Sequence, residues 1–287
     1  MFSSEKIHES VFAIKGEGCD SYLLPGDGDA AMIDAGMSEQ NIRAFAEQVC
    51  GRTVRGVINT HGHFDHTAGN GFFDNVYATE GVSLDAKTTM GADPRRYPLG
   101  YGFTIVRDGD IVEIGGRRLQ IIELNCHSPG NIAILDIGER LLFPGDEIDK
   151  GQVLLLPGYA RGPGQFHTKP AASVETYANT MRKLKKIQGS FDLIFPAHNS
   201  APVGPEWLDR FIGLAEKILN GYKGGADCSG GGYNASMNHF PLPDAGYLRA
   251  EWDGASLVYC SRLIWDADYA NPQPAPATEL HRICAII

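Results

Sequence analysis

The chain has 287 residues, enough for one large domain or two small ones, and its 43% hydrophobic and 21% charged residues are ordinary for a protein that buries a core. A formal net charge of −10 argues against a polyanionic partner such as DNA or RNA, because phosphate affinity needs a basic surface. The start, MFSSEKIHES, has no basic segment followed by an apolar run, and charges and glycines interrupt every apolar run, so neither a signal peptide nor a membrane span is expected and the chain reads as cytoplasmic.

In chain order, SVFAIKG, DSYLLPG and AAMIDAG read as short strands ended by glycine turns. Residues 38–49 read as a helix, with Ser38 as its cap and Ile42, Phe45, Ala46 and Val49 at helical spacing. VRGVINT is a buried strand, NVYAT another, and FTIVRDGDIVEIGGRRLQIIEL three strand segments joined by DG and GG turns. NIAILDIGERLLFPGD is a hairpin around Gly138, residues 171–187 are a helix, and FDLIFPAH is a strand. Residues 205–219 form a helix with Pro205 in its first turn. A Gly-rich break at 220–234 precedes YLRAEWDGASLVYCSRLIW, a hairpin around Asp253 and Gly254. A Pro-rich, then apolar tail follows, expected to pack on its own domain or across a homodimer contact. The six cysteines form no CxxC pair and read as free thiols.

The stretch NTHGHFDHTAGNG places His61, His63, Asp65 and His66 within six positions, directly after an apolar strand. Period-2 spacing puts the imidazoles of His61 and His63 on one side, while Asp65 and His66 follow a change of chain direction. Imidazole and carboxylate together suit a metal ion, and suit zinc well. His127, Asp146 and His198 each follow another apolar strand. In an α/β sandwich strand ends collect along one edge, where sites form.

These residues carry a resemblance. HGHFDH resembles the HxHxDH motif of the metallo-β-lactamase superfamily, CHSPGN its HTPGHT-type motif, FPGDEI its strand-end aspartate and FPAHN its last histidine. The similarity runs in the expected order over roughly residues 8–220. It implies a four-layer αβ/βα sandwich over residues 1–222, with 223–287 as a C-terminal extension of hairpin and tail. It also implies two metal ions, two Zn2+ by preference, with iron or manganese as alternatives. His61, His63 and His127 would hold the first, Asp65, His66 and His198 the second, and Asp146 would bridge them. One position departs: Asn131 stands where many relatives carry a second histidine in the HTPGHT motif.

Such an ion pair implies a metal-dependent hydrolase, in which a metal-bridging hydroxide attacks a small carbonyl substrate such as a lactone, ester, thioester or related amide. Asp65 would orient the nucleophile or carry a proton to the leaving group, which makes Asp65 and Asp146 the catalytic pair. A mononuclear iron enzyme of the persulfide dioxygenase kind and a phosphodiesterase are the alternatives. Substrate recognition is expected from Tyr22, from the segment DPRRYPLGYGF and from the long Gly/Pro-rich stretch after Asp146, where Tyr159, Phe166 and His167 are the candidates.

Overall fold

The computed structural model describes residues 1–87, 95–155, 172–199, 202–223, 226–227, 247–261 and 263–270. Tyr159, Phe166, His167 and the tail from residue 271 lie outside the described residues. The chain divides into two compact units. The first joins Met1–Leu124, Pro129–Gly145 and Ser190–Gly204; the second joins Asn125–Ser128, Asp146–Gly189 and Pro205–Ile287.

The first unit opens with strands β1 (Ser3–His8), β2 (Val11–Lys15), β3 (Ser21–Pro25) and β4 (Ala30–Ile33), followed by helix α1 (Ile42–Cys50). Strand β5 (Val54–Ile58), the single turn α2 (Phe64–Thr67), β6 (Val76–Ala78), the short helix α3 (Glu80–Asp85) and β7 (Thr104–Ile105) come next. These strands make one sheet in sequence order, antiparallel from β1 to β4 and parallel from β4 onward. A second sheet takes β8 (Ile111–Ile114), β9 (Arg117–Glu123), β10 (Ile132–Asp136), β11 (Leu141–Gly145) and, parallel to β11, β13 (Leu193–Pro196).

Alternation along the strands divides the core. Val11, Ala13, Tyr22, Leu24, Ala31 and Ile33 join Ile121, Ile134, Leu141, Phe143 and Phe195 of the second sheet in one apolar cluster. The intervening residues Ile14, Leu23, Ala30 and Met32 point the other way and meet Ile42 and Ala46 of α1. Both faces of β3 and β4 are therefore buried, which is why these strands read as continuous apolar runs. Burial of this kind stabilises by roughly 25 cal/mol per Å² of apolar surface.

Helix α1 starts later than expected. Asn41 caps it, accepting from the Ala44 N–H, while the Ser38 hydroxyl takes the Gln40 N–H in a local turn. Gly51 closes the helix in the left-handed region.

The second unit holds β12 (Val153–Leu155), α4 (Val174–Lys186), α5 (Trp207–Leu219), β14 (Ala226–Asp227), β15 (Tyr247–Trp252) and β16 (Ala255–Cys260). Ser173 caps α4, Glu175 sits in its first turn, and Lys183, Lys185 and Lys186 in its last, each matching the helix dipole. Tyr177 of α4 meets Phe211 of α5 edge to face at 5.9 Å. The hairpin β15–β16 forms where expected, through Asp253 and Gly254, both at positive φ as a tight I′ turn requires. The start of the segment after Asp146 is less irregular than expected, because β12 pairs in parallel with β16.

Candidate metal centre

In the first unit β5 ends at Ile58, so His61 and His63 lie in the loop beyond the strand rather than on it. Their rings still meet, with centroids 4.5 Å apart. His63 has extended backbone and sits at the N-cap position of α2, whose first turn presents Asp65 and whose last residues include His66. His198 follows β13 by two residues. Asp65, His66 and His198 each bring one donor atom to within 4.8 Å of the others. Asp65 Oδ2 stands 3.6 Å from His66 Nε2 and 3.5 Å from His198 Nε2.

A residue that sequence reasoning missed orders these donors. Asp34, buried at the end of β4, accepts from the Thr60 N–H at 2.8 Å, from the Thr60 hydroxyl at 2.7 Å and from His66 Nδ1 at 2.8 Å. The Thr60 hydroxyl has one proton, and Asp34 takes it. His61 Nδ1, 3.1 Å from that hydroxyl, must therefore be the donor in their contact. Both histidines then carry their proton on Nδ1 and leave Nε2 as the nitrogen available to a metal. The available signal was the carboxylate that ends the apolar strand AAMIDAG.

Two further devices hold the loop. Asn59 and Asn70, both fully buried, exchange amide hydrogen bonds of 3.0 and 2.8 Å across the motif. Gly145 (φ 59°) lies against Thr60: a Cβ there would come within 2.6 Å of Thr60 Oγ1, so only glycine suits both the backbone and the space. Asn131, the departure from the family pattern, is fully buried, with its amide 3.5 Å from the Pro144 carbonyl.

In the second unit, His127 and Asp146 meet with Nε2 and Oδ2 3.5 Å apart. His127 Nδ1 donates to the Leu154 carbonyl of β12 at 2.9 Å, again leaving Nε2 toward the carboxylate. Glu147 is fully buried, and its Oε1 accepts from the backbone N–H groups of Cys126 and His127 at 2.7 and 2.9 Å. Burial pushes the Glu147 carboxyl up to about 7 despite those two bonds. The donor chemistry of both units fits divalent metal: imidazoles fixed through Nδ1, with carboxylates beside their Nε2 atoms.

The expected substrate residues fare differently. Tyr22 is buried in the inter-sheet core, where its ring meets Phe143 and Phe195 and its hydroxyl donates to the Pro196 carbonyl. It packs the sandwich, because β3 is an interior strand covered on both faces. Arg96 pairs with Glu39 at 2.7 Å on the surface and covers the Tyr97 ring. No helix among the described residues is long and apolar enough to cross a membrane.

The sequence pattern of the Metallo-beta-lactamase superfamily matches residues 14–198. The chain is 35% identical over 171 residues to a hydroxyacylglutathione hydrolase of Rhodospirillum rubrum, covering 60% of this chain and 57% of that protein. Human acyl-coenzyme A thioesterase MBLAC2 is 22% identical over 228 residues, covering 68% of this chain and 76% of the relative. Among solved structures, a metallo-beta-lactamase from Pontibacter korlensis superposes with a TM-score of 0.58 at 16% identity, over 75% of this chain and 99% of that one. A sec-alkylsulfatase from Pseudomonas gives 0.59 at 14% identity, over 77% of this chain and 42% of that one. At these identities the structural likenesses establish the αβ/βα sandwich alone.

Proposed function

The chain belongs to the metallo-β-lactamase superfamily, and from that membership we propose that it is a dinuclear, zinc-dependent hydrolase of thioesters or closely related small esters. The observation that carries the reading is the Asp65, His66 and His198 cluster, with His66 fixed through Nδ1 by Asp34. The family's motif order supports adding His61, His63, His127 and Asp146 as the remaining ligands. Two relatives whose names specify glutathione and coenzyme A thioester chemistry support the substrate class. We assign the catalytic domain to residues 1–222 and an extension to 223–287.

When bound, a pair of divalent ions supplies Lewis acidity at the carbonyl oxygen and a nucleophile at neutral pH. The chain's own residues supply order. Asp34 and Thr60 hold His66 and His61 in one tautomer, and the Leu154 carbonyl does the same for His127. Asp65 is only partly sheltered from solvent and is assigned to orient the nucleophile and hold its proton. A thiolate leaving group departs at neutral pH without a strong general acid, so the chain requires none beyond this carboxylate.

The test is a panel of S-acyl glutathione, acyl-coenzyme A, lactone and phosphodiester substrates on zinc-loaded protein, with elemental analysis of the same sample. Thioester hydrolysis by a protein holding close to two zinc equivalents supports the reading. A single iron with oxygen consumption on a persulfide, or turnover of the phosphodiester alone, overturns it.

A further inference from the structure

Glu147 is a buried acid that the proposed chemistry does not use. It follows Asp146 in sequence and is fully buried in the second unit. Its Oε2 has no hydrogen-bond partner among the described residues. A carboxyl in that position costs stability, and an apolar side chain of the same size would avoid the cost. Its retention therefore asks for a role beyond packing.

The contacts define one. A single oxygen, Oε1, accepts from two successive backbone N–H groups, those of Cys126 and His127, at 2.7 and 2.9 Å. Two consecutive amides directed at one oxygen fix the dihedral angles between them, and so fix the direction in which the His127 side chain leaves the backbone. The ring is held at its other end, where Nδ1 donates to the Leu154 carbonyl at 2.9 Å. Glu147 is itself anchored, because the Tyr177 hydroxyl of α4 donates to its carbonyl at 2.9 Å. The strut thus runs from helix α4 through Glu147 to the His127 backbone, and His127 Nε2 stands 3.5 Å from Asp146 Oδ2.

We infer that Glu147 is a positioning residue, whose side-chain oxygen clamps the Cys126–His127 backbone and thereby sets the His127 imidazole for metal. The inference deepens the proposed metal centre and rests on it. The clamp needs an acceptor oxygen at that place, not a particular charge. Gln in place of Glu therefore preserves it, whereas Met, similar in size but without an acceptor, removes it.

The experiment is zinc competition against a chromogenic chelator for the full chain and for Glu147→Gln and Glu147→Met. Wild type that retains no zinc overturns the metal-centre reading itself. Given zinc binding by wild type, the expected result is a loss of roughly 10- to 100-fold for one of the two equivalents in Glu147→Met, with Glu147→Gln within a few-fold of wild type. Wild-type affinity in Glu147→Met overturns the positioning role, and so does a Gln variant as weak as the Met variant. Should the Met variant fail to fold, amide exchange on metal-free wild type decides. Slow exchange at both Cys126 and His127 supports the clamp, and fast exchange at either overturns it.

Discussion

Asp34 accepts the Nδ1 proton of His66 at 2.8 Å across 32 residues of sequence, and the same carboxylate holds Thr60, which in turn orients His61. One buried acid just beyond β4 thus sets two imidazoles of the segment that follows β5. The parallel pairing of β4 with β5 makes this contact available, since Ile33 lies opposite Ile58 and both chains turn just beyond.

Replacing Asp34 with Ala leaves the Thr60 amide, the Thr60 hydroxyl and His66 Nδ1 without their acceptor in a fully enclosed place. Each lost partner of this kind costs about 1–3 kcal/mol. Zinc affinity of Asp34→Ala should fall roughly 10- to 100-fold by chelator competition, together with a lower melting temperature. Wild-type zinc affinity in a folded Asp34→Ala protein contradicts the role assigned to this carboxylate.

Gly145 supplies a second test of the same loop. An Ala there must hold a left-handed backbone, at about 1–2 kcal/mol, and push a methyl against the Thr60 side chain. Because Thr60 Oγ1 accepts from His61 Nδ1, the strain reaches a proposed ligand. Gly145→Ala should therefore lose zinc affinity as well as melting temperature, whereas Gly28→Ala, where a methyl meets open space, should change neither.

The family motifs were legible because each is local: HGHFDH, CHSPGN, FPGDEI and FPAHN carry their potential donors within a few residues of a strand end. Asp34 was not, because its work is done across the sheet, and a lone acid after an apolar strand looks like any turn residue. The surroundings of Tyr22 were not legible, because alternation shows that two faces exist but not what covers each. With both faces of β3 buried, the tyrosine falls in the inter-sheet core. The cap of α1 went to Asn41 instead of Ser38 because both are competent cap formers and the hydrophobic stripe starts only at Ile42. Helices α2 and α3 are too short to show a helical period at all. Glu147 carried no motif, and its role depends on amides that come near it only in the fold.

Arg117 offers a contrast between stability and the metal loop. Its guanidinium meets Asp136 Oδ2 at 2.6 Å through Nε and the Ser10 and Pro25 carbonyls at 3.0 Å, with both charged side chains almost wholly buried. Arg117→Ala strands the buried Asp136 carboxylate, a change that typically costs 3–5 kcal/mol, so a loss of about that size is expected in denaturant unfolding. None of these partners is a proposed metal ligand, so the fraction that remains folded should bind zinc with wild-type stoichiometry. A reduced zinc content per folded molecule contradicts that separation.

Metal removal tests the centre as a whole. Asp65 Oδ2 lies 3.6 Å from His66 Nε2 and 3.5 Å from His198 Nε2, so two segments of the first unit gather donors whose mutual placement is best satisfied by a shared cation. Binding to the folded state alone stabilises by RT ln(1 + [L]/Kd), which is about 4.1 kcal/mol at a thousandfold excess over Kd. Chelated protein should therefore melt several degrees lower and lose the proposed hydrolase turnover, and both should return on titration with zinc. Because the gain is logarithmic, the melting temperature must keep rising with free zinc after the site is saturated at room temperature. A melting temperature indifferent to chelation and to added zinc means that these donors hold no metal, and the hydrolase reading fails with them.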